Sequence, residues 1–472
     1  MYCTALSRRP IGLKWRSSSW MVTFVIGLGV AVDLLVYSMI IPVIPFHLER
    51  LGHSSISSMT GWLLFAFATT IPIAMLSERY KARKMPLIAG LFVLVGSQIM
   101  LMEAPNYAVM CIARILQGIG SSIVWVIGLA LLCDTSPPSI VGLQLGIAMC
   151  GMSIGFSIGP PVGGLLYDHF GYRGPFIFGI SATVIDLIGR LIIIERKDAL
   201  VWGLDPAEAP DSLSKTVSYN ENVSHGIENS TIDPADVPEF LKGVAEDQLS
   251  KETTTEHLSL LSVIVQLSKS PRALAALFVI FVYGVTYSIQ EPSIPLHLQD
   301  VWNLNSKSVG LVMIAAVVPT LFSSPLAGYF TDKRGAEWVS ILSILLALPW
   351  WGVIIIERSL ALFIVCFAFQ SFFTSGVIAP LTAELAAVSR TLEGVGYAHV
   401  YGAFNLVYGV GTSIGPIVGG QIYDNVRKGW LVLCVLAAGL LLLSLCLVTC
   451  FTGVNPVLRR LNKRTNQATD FS

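Results

Sequence analysis

Long apolar stretches alternate with short polar connections along most of the chain. A stretch of about 20 apolar residues is long enough to cross a bilayer as one helix. The pattern predicts twelve spans, at approximately residues 20–46, 59–77, 85–103, 107–133, 142–166, 175–195, 272–297, 309–331, 338–356, 360–385, 397–422 and 430–452. The expected fold is therefore an all-α membrane protein with twelve transmembrane helices.

One connection differs from the others in length and composition. Residues 196–270 contain thirteen Asp and Glu residues and many Ser, Thr, Asn and Pro residues. Such a segment lacks the apolar surface needed for a core and is expected to be mostly disordered. A more apolar part, 257–267, is predicted as a short helix at the membrane surface. The chain divides into an N-terminal six-helix bundle at 1–195, this linker and a C-terminal six-helix bundle at 271–472.

A glycine-rich motif is repeated in the fifth and eleventh spans. Residues 157–168 read SIGPPVGGLLYD and residues 413–424 read SIGPIVGGQIYD, identical at nine of twelve positions. Residues 37–48 and 287–298 are identical at seven of twelve positions. With six spans in each half, both halves start on the same side, so the repeats are parallel and the expected binding site lies between them.

Small residues at a spacing of four allow another helix to approach closely, and proline removes a backbone donor. We therefore interpret the motif of the fifth span as a packing face that ends in a bend. Its residues are Gly155, Gly159, Pro160, Gly163 and Gly164.

Composition supports a membrane protein and gives no indication of a nucleic-acid-binding or metal-binding protein. The chain has 472 residues, of which 54% are hydrophobic and 13% are charged, and its net charge is zero. This balance gives no indication of nucleic-acid binding. The eight cysteines show no CxxC pair, and no metal site or cofactor is predicted. Nineteen Lys and Arg residues flank the spans on the side of the termini, against six on the other side, which predicts cytosolic termini.

Three motifs, among them the glycine motif, resemble those of the major facilitator superfamily, and within it the twelve-span drug:proton antiporters. Residues 74–84 and their copy at 328–335 resemble the signature between spans 2 and 3. Residues 114–118, RILQG, resemble the RxxQG motif of span 4, and the glycine motif resembles the antiporter motif of span 5. The resemblance implies two bundles that alternate access across the membrane.

Finer features resemble the branch that contains the vesicular amine transporters, with fungal-type exporters in the broader group. They are Asp33 followed by Pro42 and Pro45, and the EPSIP sequence that begins at Glu291. Members of this branch exchange lumenal protons for cytosolic amines. In span 11, Asn405 stands where the amine carriers of the branch have an acidic residue. Asn405 cannot titrate, so the proton route or the preference for cations is expected to differ.

Ionisable side chains within spans are costly and usually face the interior or a cavity. The predicted proton-coupling residues are Asp33, Glu291 and Arg114. Arginine stays protonated, so Arg114 is expected to act on a nearby carboxylate, or else to lock helices by bonding backbone carbonyls. A structural ion pair is expected between Asp186 and Arg190, which lie four residues apart on span 6.

Two larger sets complete the candidate site. Aromatic faces attract organic cations, although an aromatic stripe also packs helices, and the predicted substrate-binding residues are Tyr401, Asn405, Tyr408, Gln370 and Trp125. Charged residues at the ends of spans 2 and 8 are predicted to form a conformational gate, or only a cluster of cytosolic charge. They are Glu78, Arg79, Arg83, Asp332, Lys333 and Arg334.

The resulting hypothesis is a proton-coupled secondary transporter that exports or sequesters small organic molecules such as drugs, amines or secondary metabolites. The alternative is a nutrient or sugar symporter or facilitator of the same fold. An enzyme is not expected, because HExxH and GxxxxGK[ST] motifs are absent. The expected partners are an organic substrate, protons and the lipid bilayer, the expected state is a monomer, and the expected location is a plasma, vacuolar or vesicular membrane.

Overall fold

The computed structural model describes residues 10–68, 84–137, 140–207, 269–389 and 397–453, with Leu267, Pro456 and Leu458. Glu78, Arg79 and Arg83 of the predicted gate lie outside the described residues, as do residues 257–266 of the helix predicted at 257–267.

Within the described residues the secondary structure is α-helical. The helices are α1 (Leu13–Arg16), α2 (Ser19–Met39), α3 (Ile44–Arg50), α4 (Ile56–Ala68), α5 (Lys84–Met102), α6 (Tyr107–Thr135), α7 (Val141–Phe170), α8 (Arg173–Ile192), α9 (Arg196–Leu200), α10 (Pro271–Ser288), α11 (Ile294–Trp302), α12 (Ser306–Arg334), α13 (Ala336–Val353), α14 (Leu360–Ser375), α15 (Ile378–Ser389), α16 (Tyr397–Asn425) and α17 (Gly429–Phe451).

These helices match the predicted spans and confirm the predicted fold class. Ten helical stretches of the described residues are long and apolar enough to cross a membrane. The described part of span 2 is the shorter apolar helix Ile56–Phe67, and α16 corresponds to span 11. Spans 1 and 7 are each interrupted by a turn, at Pro42 and Pro292, because proline cannot donate the hydrogen bond that a continuing helix needs.

The repeated glycines bring helices into backbone contact within each half. A Cβ atom at Gly151, Gly155 or Gly163 of α7 would overlap a carbonyl oxygen of α2. In the C-terminal half, the equivalent faces of α16 and α10 meet in the same way, at Gly411 and Gly419. The prediction of a packing face is confirmed, while α7 continues as a helix through Pro160 to Phe170.

The last glycine of each motif lies at a joint between the halves. A Cβ atom at Gly164 would overlap the carbonyl oxygen of Ser306, at the start of α12. At the symmetry-related joint, a Cβ atom at Gly420 would overlap the carbonyl oxygen of Ser57, at the start of α4. The two halves are therefore joined by a pair of helix crossings, α7 with α12 and α16 with α4.

Both joints lie on one side of the bundle. We call the side with α1, α9 and the end of α17 the terminal side, and the other the opposite side. On the opposite side, the Ser306 hydroxyl donates to the Pro42 carbonyl oxygen at 2.6 Å, and the Ser57 and Ser293 hydroxyls are 3.1 Å apart. Within the described residues, the hydrogen bonds between the halves lie at the level of Tyr37 and Glu291 or closer to the opposite side. The molecule is therefore closed on the opposite side.

The first part of the predicted linker is folded. Helix α9 lies there, and the Arg196 guanidinium donates to both carboxylate oxygens of Asp205 at 2.8 Å. This contact holds the pKa of Asp205 below its usual value. Ile194 donates its backbone N–H to the carbonyl oxygen of Arg16, so this part of the chain is tied to the N-terminal helix.

Candidate functional site

Glu291 lies between the two halves, in the turn that separates α10 from α11. Its side chain is buried, and the Tyr37 hydroxyl of α2 donates a hydrogen bond to its Oε2 atom at 3.1 Å. The turn exists because Pro292 interrupts the helix at this point. A carboxyl of the C-terminal half is thus held by a side chain of the N-terminal half.

Arg114 contacts the same tyrosine from α6. Its guanidinium lies 5.4 Å from the ring centroid of Tyr37 and 4.8 Å from that of Phe67, within the range of cation–π attraction. It also donates to the Leu63 carbonyl oxygen at 3.2 Å and to Gln117 Oε1 at 2.8 Å. Arg114 therefore bonds a backbone carbonyl, as one of its two predicted roles requires, while its action on a carboxylate stays a prediction.

A chain of aromatic rings crosses the centre of the molecule. Successive ring centroids are 4.9 to 6.1 Å apart, a spacing at which aromatic rings attract each other. Starting in the N-terminal half, the chain runs through Phe67, Tyr37, Phe156, Tyr287, Tyr283, Tyr408 and Phe404. Tyr37 and Tyr287 are symmetry-related, so the rings form one aromatic surface shared by both halves.

A cavity of about 50 Å³ adjoins Glu291 and this aromatic surface. Gln370 of α14 lines it and donates from Nε2 to Gln290 Oε1 at 3.0 Å. The Gln370 Oε1 and Gln290 Nε2 atoms are buried and have no hydrogen-bond partner among the described residues. Such orphaned polar atoms are costly in the free protein, so they are available to a ligand or to water.

Asp33 lies elsewhere, inside the N-terminal half. Its buried carboxyl accepts two hydrogen bonds at Oδ2, from the Ser121 hydroxyl at 2.5 Å and from Trp125 Nε1 at 2.8 Å. Both donors belong to α6. The predicted substrate residue Trp125 is thus a partner of the predicted proton-coupling residue Asp33, and it does not line the cavity beside Glu291.

The expected pair of Asp186 and Arg190 is confirmed, and it is buried next to Asp33. Arg190 Nε lies 2.9 Å from Asp186 Oδ2, with both side chains at most 2% exposed. A Cβ atom at Gly29, one helical turn from Asp33, would overlap the Arg190 guanidinium. The pair therefore reaches the face of α2 that carries Asp33, rather than the lipid.

The remaining predicted residues are not gathered at this site. Asn405 is exposed, and the side chains of Tyr401 and Tyr397 lie outside the described residues. Asp332, Lys333 and Arg334 are exposed at the end of α12, where Lys333 bonds to Tyr329 of its own helix. Their role in a gate stays a prediction.

Sequence reasoning missed the residues that link the candidate side chains. Tyr37, Tyr287 and Gln290 belong to the repeated sequence before the proline turns, and that repeat was the available signal. Ser121 has no such signal, because its contact with Asp33 joins positions 88 residues apart.

A family profile matches the sequence of both helical bundles. The profile of the Major Facilitator Superfamily matches residues 26–289 and 276–470. The chain belongs to this superfamily. Its curated relatives include two fungal proteins, the MFS-type transporter ppzB of Metarhizium rileyi and the uncharacterized MFS-type transporter C18.02 of Schizosaccharomyces pombe. They are 24% and 26% identical, each over 88% of this chain, and 92% and 93% of their own lengths are covered.

The synaptic vesicular amine transporter of Homo sapiens is also similar, at 23% identity over 81% of this chain and 65% of that protein. Among solved structures, a bacterial homologue of the human lysosomal transporter Spinster, in an inward-facing and unoccupied conformation, has a TM-score of 0.64. It is 13% identical, and the match covers 92% of this chain and 98% of that one. The chain is therefore a multi-pass membrane transporter rather than an enzyme.

Proposed function

We propose that this chain is a proton-coupled transporter that moves small, partly hydrophobic organic molecules out of the cytosol by alternating access. The observation that carries the proposal is the buried carboxyl of Glu291 between the halves, bonded by Tyr37 and close to Arg114. A carboxyl in a membrane interior is costly when charged. Changing its protonation therefore changes the free energy of the contact that joins the halves.

The surroundings of Glu291 support an organic substrate. Aromatic rings offer flat surfaces for organic molecules and attract cations, and the unpaired amide atoms of Gln290 and Gln370 offer hydrogen bonds. The cavity of about 50 Å³ holds a few water molecules, whereas drug-sized ligands occupy roughly 300 Å³ or more. Substrate binding thus requires the halves or side chains to move.

Asp33 is the second proton-coupling residue of the proposal, with Arg114 as the fixed charge that influences Glu291. The likeness to the vesicular amine transporters supports exchange of protons for a cationic substrate. The membrane is proposed to be plasma, vacuolar or vesicular, with both termini in the cytosol and the protein a monomer.

The test is uptake of ethidium into proteoliposomes of the purified full chain, with an acidic interior and with nigericin to collapse the gradient. We expect gradient-driven uptake in the wild type and a loss of at least tenfold in Glu291→Gln. The matched control is Glu357→Gln, the same substitution at an exposed site.

If the wild type accumulates none of a panel of organic cations, or accumulates substrate in the direction of proton flow, the exporter proposal is wrong. Accumulation of sugars together with protons would establish the symporter alternative. Full coupling in Glu291→Gln would remove Glu291 from the mechanism.

A further inference from the structure

The interior of the N-terminal half contains a second cluster of charged side chains, separate from the cavity beside Glu291. Asp33 of α2 and Asp186 of α8 line a cavity of about 10 Å³, together with Gln98 and Thr183. This volume holds roughly one water molecule. Arg190 is bonded to Asp186 and packs against Gly29, at the same face of α2.

The hydrogen bonds of the cluster are incomplete. Arg190 uses only Nε, which donates to Asp186 Oδ1 at 3.0 Å and Oδ2 at 2.9 Å, and its Nη1 and Nη2 atoms have no partner among the described residues. Gln98 donates to Thr183 Oγ1 at 3.0 Å, while its buried Oε1 atom has no partner there either. Asp33 accepts both of its hydrogen bonds at Oδ2, so Oδ1 is open to a proton.

The charges of this cluster are balanced only when it holds one added proton. Two carboxylates and one guanidinium carry a net charge of −1, and an uncompensated charge in a low-dielectric interior is strongly unfavourable. One added proton makes the cluster neutral. Asp186 is already neutralised by two contacts with Arg190, so the proton belongs on Asp33.

Other charges do not alter this count. Lys84, Asp168 and His169 lie at the ends of α5 and α7. From α6, Arg114 acts electrostatically on Asp33, but also on Glu291, whose carboxylate balances its charge, so this pair leaves the count unchanged. The other groups of α6 that face Asp33, Ser121 and Trp125, are neutral.

We propose that Asp186 and Arg190 are positioning residues for Asp33, and that the three side chains form a charge-balanced cluster that holds one proton on Asp33. The inference deepens the proposed proton coupling and rests on it for its physiological meaning. Without Asp186, Arg190 would neutralise the Asp33 carboxylate and the proton would be lost. Without Arg190, both carboxyls would be protonated.

The cluster can be tested without knowing the substrate. Protonated carboxyls have a C=O stretching band that infrared difference spectroscopy detects in proteoliposomes across a pH titration. The parent protein is the wild-type full chain, in which the band of the buried Glu291 carboxyl is identified by its loss in Glu291→Gln. Besides the band of Glu291, we expect one further band of a buried carboxylic acid in the parent, and no such band in Asp33→Asn or Asp186→Asn.

The decisive variant is the pair Asp186→Asn and Arg190→Gln, which removes both charges and should restore the band. Arg190→Gln alone should roughly double the band and move its midpoint to higher pH. If Asp186→Asn keeps the band and its midpoint, the pair has only a structural role and the inference is wrong. If Asp186→Asn does not fold, an unchanged band in Arg190→Gln would overturn the inference equally.

The infrared titration and the transport assay test the two proposals separately. If the wild type shows no gradient-driven uptake, the proposed function is wrong, whatever the infrared band shows. Coupled transport by the wild type together with an unchanged Asp186→Asn band would contradict only the cluster.

Discussion

At the scale of single residues, a phenol hydroxyl connects the two halves at the centre of the membrane. Tyr37 donates to Glu291 and lies under the guanidinium of Arg114, so one ring contacts both an acid and a base. Tyr287 occupies the symmetry-related position, and its hydroxyl has no hydrogen bond among the described residues. The two tyrosines are alike in the sequence repeat, and only the structure distinguishes them.

The Tyr37→Phe substitution should weaken closure on the opposite side. A hydrogen bond contributes about 1 kcal/mol net, which corresponds to roughly a fivefold change in an equilibrium. Spin labels at His53→Cys and Arg427→Cys, two exposed sites in different halves, should show a larger population of long distances. Tyr287→Phe is the matched control, and equal distance distributions in the two variants would contradict the assignment.

Individual residues were predictable where an ionisable group lay inside an apolar stretch. Asp33, Arg114 and Glu291 stand out for that reason, and all three are buried. Their partners were not predictable, because Ser121 and Trp125 are ordinary residues 88 and 92 positions from Asp33. Only the packing of α6 against α2 makes them donors.

At the scale of helices, the glycine motifs determine which helices touch. The spacing of four predicted a close-packed face, but the sequence could not assign the partner helix, which is α2 for α7 and α10 for α16. The motif of the fifth span predicts that Gly164 belongs to a bend, whereas Gly164 and its copy Gly420 contact the other half. The sequence of the motif is the same whether its last glycine contacts a helix of its own half or one of the other half.

Gly155→Ala should destabilise the N-terminal half. The added methyl would overlap the Ala31 carbonyl oxygen, which belongs to backbone and cannot move without shifting α2. Overpacking of this kind costs about 1–3 kcal/mol, so the melting temperature of the purified protein should fall by several degrees. Gly96→Ala on α5 is the control, since a Cβ atom there meets open space. A fall of the same size in both variants would mean that close packing of α7 on α2 is not the cause.

At the scale of the whole molecule, two related halves meet through equivalent joints on one side. The joints pair Ser306 with Pro42 and Ser57 with Ser293, each beside the proline turn of a first helix in its half. Because the scaffold repeats, separating the halves here would break both joints together. The charged groups do not repeat: Asp33 lies inside one half and Glu291 between the halves. A change in the protonation of one of these carboxyls can thus shift the equilibrium between the closed and open forms of both joints.

Alternating access requires these joints to open, and a crosslink tests this requirement directly. The Ser57 and Ser293 hydroxyl oxygens are 3.1 Å apart across the halves, while a disulfide needs about 2.05 Å between sulfurs, so Ser57→Cys with Ser293→Cys should form a disulfide after a small adjustment. In a background without the eight natural cysteines, oxidation should abolish ethidium transport, and a reducing agent should restore it. Each single variant should transport under both conditions. Undiminished transport by the fully crosslinked protein would mean that the opposite side stays closed throughout the cycle.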